Sequence, residues 1–155
     1  MGAKGFGLIK LVLLLSLLLS ACSSEPDQKD ESNSQASQCS QEEIAGGAAW
    51  ITGQLNAFGS AEPSAAYNFA SEQFRQGVSL DEFASIISGQ YGALLSLKSF
   101  EIGRCFALDQ GYVFQVDLID NQNKSFTMQY VLSKIDEQWG VDAATIVENK
   151  VDPTL

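Results

Sequence analysis

Three stretches of the chain differ in their pattern of apolar and polar positions. Residues 11–21 are almost wholly apolar, residues 23–40 almost wholly polar, and beyond them apolar residues recur first at helical and then at alternating spacing. Only the last stretch has the periodicity of a folded domain. It opens on Ser40-Gln41-Glu42-Glu43, a capping box in which the serine accepts from the third helical amide and the glutamate reaches back. Ile44, Ala48, Ile51, Leu55 and Phe58 then form one stripe closed by Gly59, which predicts a first helix. Trp50 lies off that stripe, either as a partly buried edge residue or as a partner contact. Pro63 suits the first turn of a second helix over 61–70. Its Tyr67, Phe69 and Ala70 cannot share one face, so the region is expected to be well buried. A second box, Ser79-Leu80-Asp81-Glu82, begins a third helix with Phe83, Ile86, Ile87 and Tyr91 as its stripe, ending at Gly89 or Gly92.

After Leu97 the period becomes two. Phe100, Ile102, Phe106 and Leu108 read as one face of a strand interrupted at Gly103, and Asp109-Gln110-Gly111 is turn chemistry. Tyr112, Phe114, Val116 and Leu118 face inward on the next strand, and Phe126, Met128, Tyr130 and Leu132 on a third, with 120–124 turning the chain between them. A last strand over 138–147 carries Trp139 and Val141 after an Asp136-Glu137 turn. The expected fold is α+β: three N-terminal helices packed on a curved antiparallel four-stranded sheet, one domain over 41–150.

This element order, with Ala66-Tyr67, Phe69-Ala70-Ser71, Phe74-Arg75, Phe83, Tyr91 and the terminal Gln138-Trp139-Gly140-Val141, resembles the nuclear transport factor two-like cone fold, and within it the uncharacterised bacterial domains. The resemblance implies a long curved sheet wrapping the helices around a cone-shaped pocket, which serves in that superfamily as an enzyme site, a binding site or a dimerisation surface. The candidate pocket residues are Arg104, Tyr112, Phe114, Met128 and Tyr130. Arg104 is in phase with the inward row, although a bulge at Gly103 would turn it outward. The superfamily's isomerases and dehydratases place an Asp base or an Asp–His pair in the cone. This chain has no histidine, and Asp117 and Glu101 alternate out of phase with their apolar neighbours. No metal-ligand cluster, nucleophile elbow or phosphate loop is visible, and Ala45-Gly46-Gly47-Ala48 within a helical pattern reads as close packing. No cofactor is expected.

The start of the chain carries the more specific signal. Lys4 and Lys10 precede an apolar run about half the length of a spanning helix, and Leu19-Ser20-Ala21-Cys22 follows. This resembles a bacterial lipoprotein signal peptide, which implies cleavage after residue 21, acylation of Cys22 and an extracytoplasmic, lipid-anchored location. Residues 22–40 would then be the lipidated cysteine and a disordered polar tether, spanning on the order of 20–25 Å as a flexible coil. With Cys22 consumed, Cys39 and Cys105 remain on an oxidising side of the membrane, where they either pair or persist as two buried thiols; the pairing is favoured.

Charge narrows the partners. The chain carries 9 Lys and Arg against 19 Asp and Glu, and loss of Lys4 and Lys10 with the leader makes the balance more acidic still. Phosphate neutralisation needs clustered basic residues, so nucleic acid is excluded as a partner. Anionic headgroups would repel the domain, leaving the lipid to hold it at the membrane. Two function classes stay open: a tethered binding or accessory module for a protein partner or small apolar ligand, and a pocket enzyme working with a lone carboxylate.

Overall fold

Ser40 starts the first helix as its neighbours predict. A computed structural model describes residues 36–60 and 62–148. The signal peptide, Cys22 and nearly all of the tether expected from the sequence lie outside them. In α1 (Gln41–Phe58) the Ser40 hydroxyl accepts from the Glu43 amide at 3.3 Å, and the Glu43 carboxylate accepts from the Ser40 amide at 2.7 Å. Two of the amides that a helix start leaves without partners are thereby satisfied. Ile51, Leu55 and Phe58 of the predicted stripe are buried, each contributing roughly 1.5–3 kcal/mol of transfer free energy.

The next region departs from the sequence reading. The helix expected over 61–70 is α2 (Pro63–Tyr67), and a separate α3 (Glu72–Gly77) follows, so the described residues hold four α-helices where three were expected. Ser71 is the reason. Its hydroxyl accepts from the Phe74 amide at 3.1 Å as the cap of α3, which requires extended backbone where a longer helix would have continued. That extended segment pairs with the sheet: the Val141 amide donates to the Phe69 carbonyl and the Ser71 amide to the Val141 carbonyl, both at 2.9 Å. The third predicted helix is α4 (Leu80–Gln90), capped by Ser79, which accepts from the Glu82 amide at 3.3 Å. A short 3₁₀ turn over Gly92–Ser96 then buries Leu94.

The strands form an open antiparallel sheet in the order β1-β2-β3-β4-β5. β2 (Leu97–Leu108), β3 (Gly111–Asp120), β4 (Ser125–Ile135) and β5 (Gln138–Glu148) are the four expected from alternation. The fifth, β1 (Ser37–Gln38), comes from the end of the polar segment and pairs with Ala107 and Phe106. No hydrophobic pattern predicts it. It lies beside the Cys39–Cys105 disulfide, whose Cα atoms are 5.5 Å apart across 66 residues of sequence. The fold of the described residues is therefore α+β with four α-helices and a five-stranded sheet.

Phase along β2 also differs from expectation. The register jumps from Ile102 opposite Val116 to Cys105 opposite Phe114, so Gly103 and Arg104 together face Gln115 in a bulge. Cys105 is buried and Ala107 half-buried, while Phe106 and Leu108, expected inside, are exposed. Alternation on β3 and β4 holds: Phe114, Val116, Leu118, Phe126, Met128, Tyr130 and Leu132 are all buried.

Close approach of α1 to this inner face depends on its glycines. A β-carbon at Gly47 would overlap the Phe114 ring, and one at Gly46 would come within 2.6 Å of the Trp139 Nε1. Gly53 admits the Phe69 ring in the same way. The Gly46-Gly47 pair is a packing device, as its helical context suggests.

Candidate functional site

A cavity of about 190 Å³ lies where the inner face of the sheet meets the helices. Met128 and Tyr130 of β4 form one wall, and β5 contributes Val141 through Ala144. Gln54 and Phe58 come from the end of α1, Phe74 from α3, and Phe83, Ile86 and Ile87 from α4. The stripe that folds α4 onto the sheet thus also shapes the cavity. A larger depression of about 530 Å³ lies between the end of α1, α2 and α4, but Gly59, Ser60, Glu62 and Ser88 on its walls face solvent. The smaller cavity is the better candidate because Met128 and Tyr130 on its wall are both fully buried, and ligand sites are concave and mainly apolar.

Its polar groups are few. The Gln54 side-chain amide donates to the Ala66 carbonyl at 3.3 Å. Asp142 accepts from the Ser133 hydroxyl at 3.1 Å. The Tyr130 hydroxyl is buried with no hydrogen-bond partner among the described residues, and burial pushes its ionisation well above the ordinary tyrosine range. Among the described residues no group of three or more His, Cys, Asp or Glu could hold a metal ion.

The five residues expected to form a pocket do not converge. Met128 and Tyr130 do line the cavity. Phe114, directly opposite Tyr130 in register, is taken up under α1 against Gly47 and belongs to the core. Tyr112 sits at another part of the sheet, its ring 4.9 Å from that of Trp139. Burial first, and then its hydrogen bond to the Glu43 carboxylate, raise its hydroxyl pKa. Arg104 does not reach the cavity: of the two positions open to it, the bulge sets the outer face, where its guanidinium donates to the Gln115 Oε1 at 3.2 Å and lies 6.0 Å from the Phe106 ring centroid. Asp117, expected to point away from the apolar face, accepts from the Thr127 hydroxyl at 2.6 Å.

Asp142 escaped the sequence reading. Strict alternation from Trp139 and Val141 points it away from the helices. The register of β5 instead jumps from Val141 opposite Leu132 to Ala143 opposite Val131, a bulge that leaves Asp142 unpaired beside the cavity. The run Gln138-Trp139-Gly140-Val141 gives no signal for such a shift.

Residues 40–154 match the family model described as Domain of unknown function (DUF4864). The chain belongs to that family. The match starts at the N-cap serine of α1 and takes in all four helices and β2 through β5. No curated protein and no solved structure matches the chain. The DUF4864 description names no activity, so function must be argued from the site.

Proposed function

We propose that this DUF4864 protein is a lipid-anchored, extracytoplasmic binding or accessory module whose domain, of the nuclear transport factor two-like cone type, receives a small apolar ligand between its helices and sheet. The observation that carries this reading is the apolar cavity with buried Met128 and Tyr130 on its wall. Helices first and an antiparallel meander after them support the cone assignment. The Leu19-Ser20-Ala21-Cys22 box supports anchoring through Cys22, since several acyl chains on one cysteine meet the two-signal requirement for stable attachment. No helix among the described residues is long and apolar enough to cross a membrane.

Two experiments separate the parts of this reading. Cys22→Ala is expected to release the protein from the membrane fraction or leave an unprocessed precursor; processed protein that stays membrane-bound through a detergent-free wash refutes anchoring. Ala144→Leu adds side-chain volume at the cavity wall. Native mass spectrometry should find a small neutral compound on the wild-type chain and not on this variant, with the melting temperature retained. Equal occupancy of both chains would end the cavity reading.

A second reading rests on Asp142, the one Asp or Glu among the described residues that lines the cavity. A pocket enzyme would use it as a lone general base, held by Ser133. Turnover by the purified chain that disappears in Asp142→Asn decides for the enzyme.

A further inference from the structure

Tyr130 sits in the middle of β4, between Phe114 on β3 and Ala144 on β5. It is fully buried, and its hydroxyl is left without a partner among the described residues. Buried side-chain hydroxyls nearly always have one. Phenylalanine would fill the same space at no cost in unsatisfied groups, so the oxygen is unexplained by packing. A trapped water needs two to four polar partners; besides Tyr130, the polar side chains on the described lining are Gln54, Tyr91 and Asp142, of which Gln54 and Asp142 already hydrogen-bond to the Ala66 carbonyl and the Ser133 hydroxyl.

Tyr130 also lines the cavity, with its hydroxyl covered in the unliganded fold, so a ligand oxygen meets it only as the neighbouring side chains give way. At about 190 Å³ that cavity is somewhat larger than the roughly 150 Å³ apolar cavity that binds benzene in another protein. It therefore suits one ring with a short substituent. Charge limits the ligand further. Among the described residues no lysine or arginine lines the cavity, and Asp142 is the one Asp or Glu that does, so an anion would meet no counter-charge and a buried cation would find none beside Met128 and Tyr130. Resting on the binding reading above, we propose that the cavity takes a neutral, ring-sized apolar molecule bearing one carbonyl or hydroxyl oxygen, and that the Tyr130 hydroxyl is the hydrogen-bond anchor for that oxygen.

The test uses the full-length chain in lipid nanodiscs, with empty discs as the blank, titrated by saturation-transfer NMR. The probes are acetophenone and isopropylbenzene, near-isosteres that differ by a carbonyl oxygen in place of a methyl group. Wild type is expected to bind both. Tyr130→Phe should weaken acetophenone about 3- to 10-fold, the range of one net hydrogen bond, while leaving isopropylbenzene within about 2-fold. Its melting temperature without ligand should equal or exceed that of wild type, since an unsatisfied group has been removed. Failure of both probes to bind overturns the cavity reading and the anchor with it. Binding of both with acetophenone unaffected by Tyr130→Phe leaves the cavity standing and overturns the anchor. A fall of several degrees in the melting temperature of the unliganded variant shows an internal partner and also overturns it. Independently of any variant, the carbonyl stretch of acetophenone bound to wild type should fall below its value in hexane, and a stretch equal to that in hexane overturns the proposal.

Discussion

The indole Nε1–H of Trp50 donates to the backbone carbonyl of Phe69 at 2.9 Å, and the two rings meet edge to face with centroids 5.1 Å apart. The same carbonyl accepts from the Val141 amide at 2.9 Å. One oxygen thus joins α1, the segment after α2 and β5. Trp50, left open by the sequence as an edge residue or a partner contact, is an internal clamp. Trp50→Phe keeps a ring and loses one hydrogen bond, for an expected cost of about 1 kcal/mol, whereas Trp50→Ala should cost about 3 kcal/mol. Urea denaturation of both variants checks this. Equal stability of Trp50→Ala and wild type would return Trp50 to the surface.

Reduction should be expensive. The Cys39–Cys105 bridge closes a loop of 66 residues, for which chain entropy gives about 4 kcal/mol. The double variant Cys39→Ala/Cys105→Ala should lose that much in denaturant titrations and become insensitive to reductant. A wild-type transition that does not move on adding reductant would contradict the prediction.

The cap of α1 should be sensitive to acid. The Ser40 backbone amide, followed by its side chain, holds the Glu43 carboxyl below its usual 4.5. A carboxyl whose pKa is lowered by folding contributes stability that is complete above the unfolded value and is lost as pH falls through the folded one. The stability difference between wild type and Glu43→Gln should therefore be constant near neutrality and shrink below pH 4.5. Ser40→Ala, which removes the hydroxyl acceptor, should cost about 1 kcal/mol near neutral pH. A Glu43→Gln difference that does not change with pH would mean the charge is irrelevant to the cap.

The hairpin between β4 and β5 has room for improvement. Asp136 and Glu137 both lie at positive φ, 50° and 64°, which suits a tight two-residue turn and favours Asp-Gly. Glu137→Gly should gain about 0.5 kcal/mol. The Lys134–Glu137 pair that it removes, at 2.6 Å with Glu137 exposed and Lys134 half-buried, lies at the surface, where such pairs contribute little. A melting temperature lower than that of wild type would show that the pair outweighs the strain.

How far the sequence reached depended on whether a feature was local. The Ser40 box, the α1 stripe, the Asp136-Glu137 turn and the inward rows of β3 and β4 are set by neighbours a few residues apart, and all are readable from spacing. The features that were missed come from partners far along the chain. The chain leaves the helix after Tyr67 because Phe69–Ser71 pairs with Val141. β1 forms beside a disulfide to Cys105. Two bulges shift phase, sending Arg104 outward and Asp142 to the cavity edge. For the site, period two found Met128 and Tyr130, whereas Phe114 and Tyr112 share their phase and are claimed by Gly47 and Trp139. Alternation tells which face a side chain is on, not which neighbour covers it.

The covalent bridge also fixes how the domain bears load. A pull on the chain ahead of Cys39 first meets β1, held to β2 by two register pairs. The tension then passes through the sulfurs to Cys105 inside β2, and the capping box at the head of α1 lies off its route. With the bridge intact the sheet carries the force; once it is reduced, the same pull falls on Ser40 and unwinds α1 from its first turn.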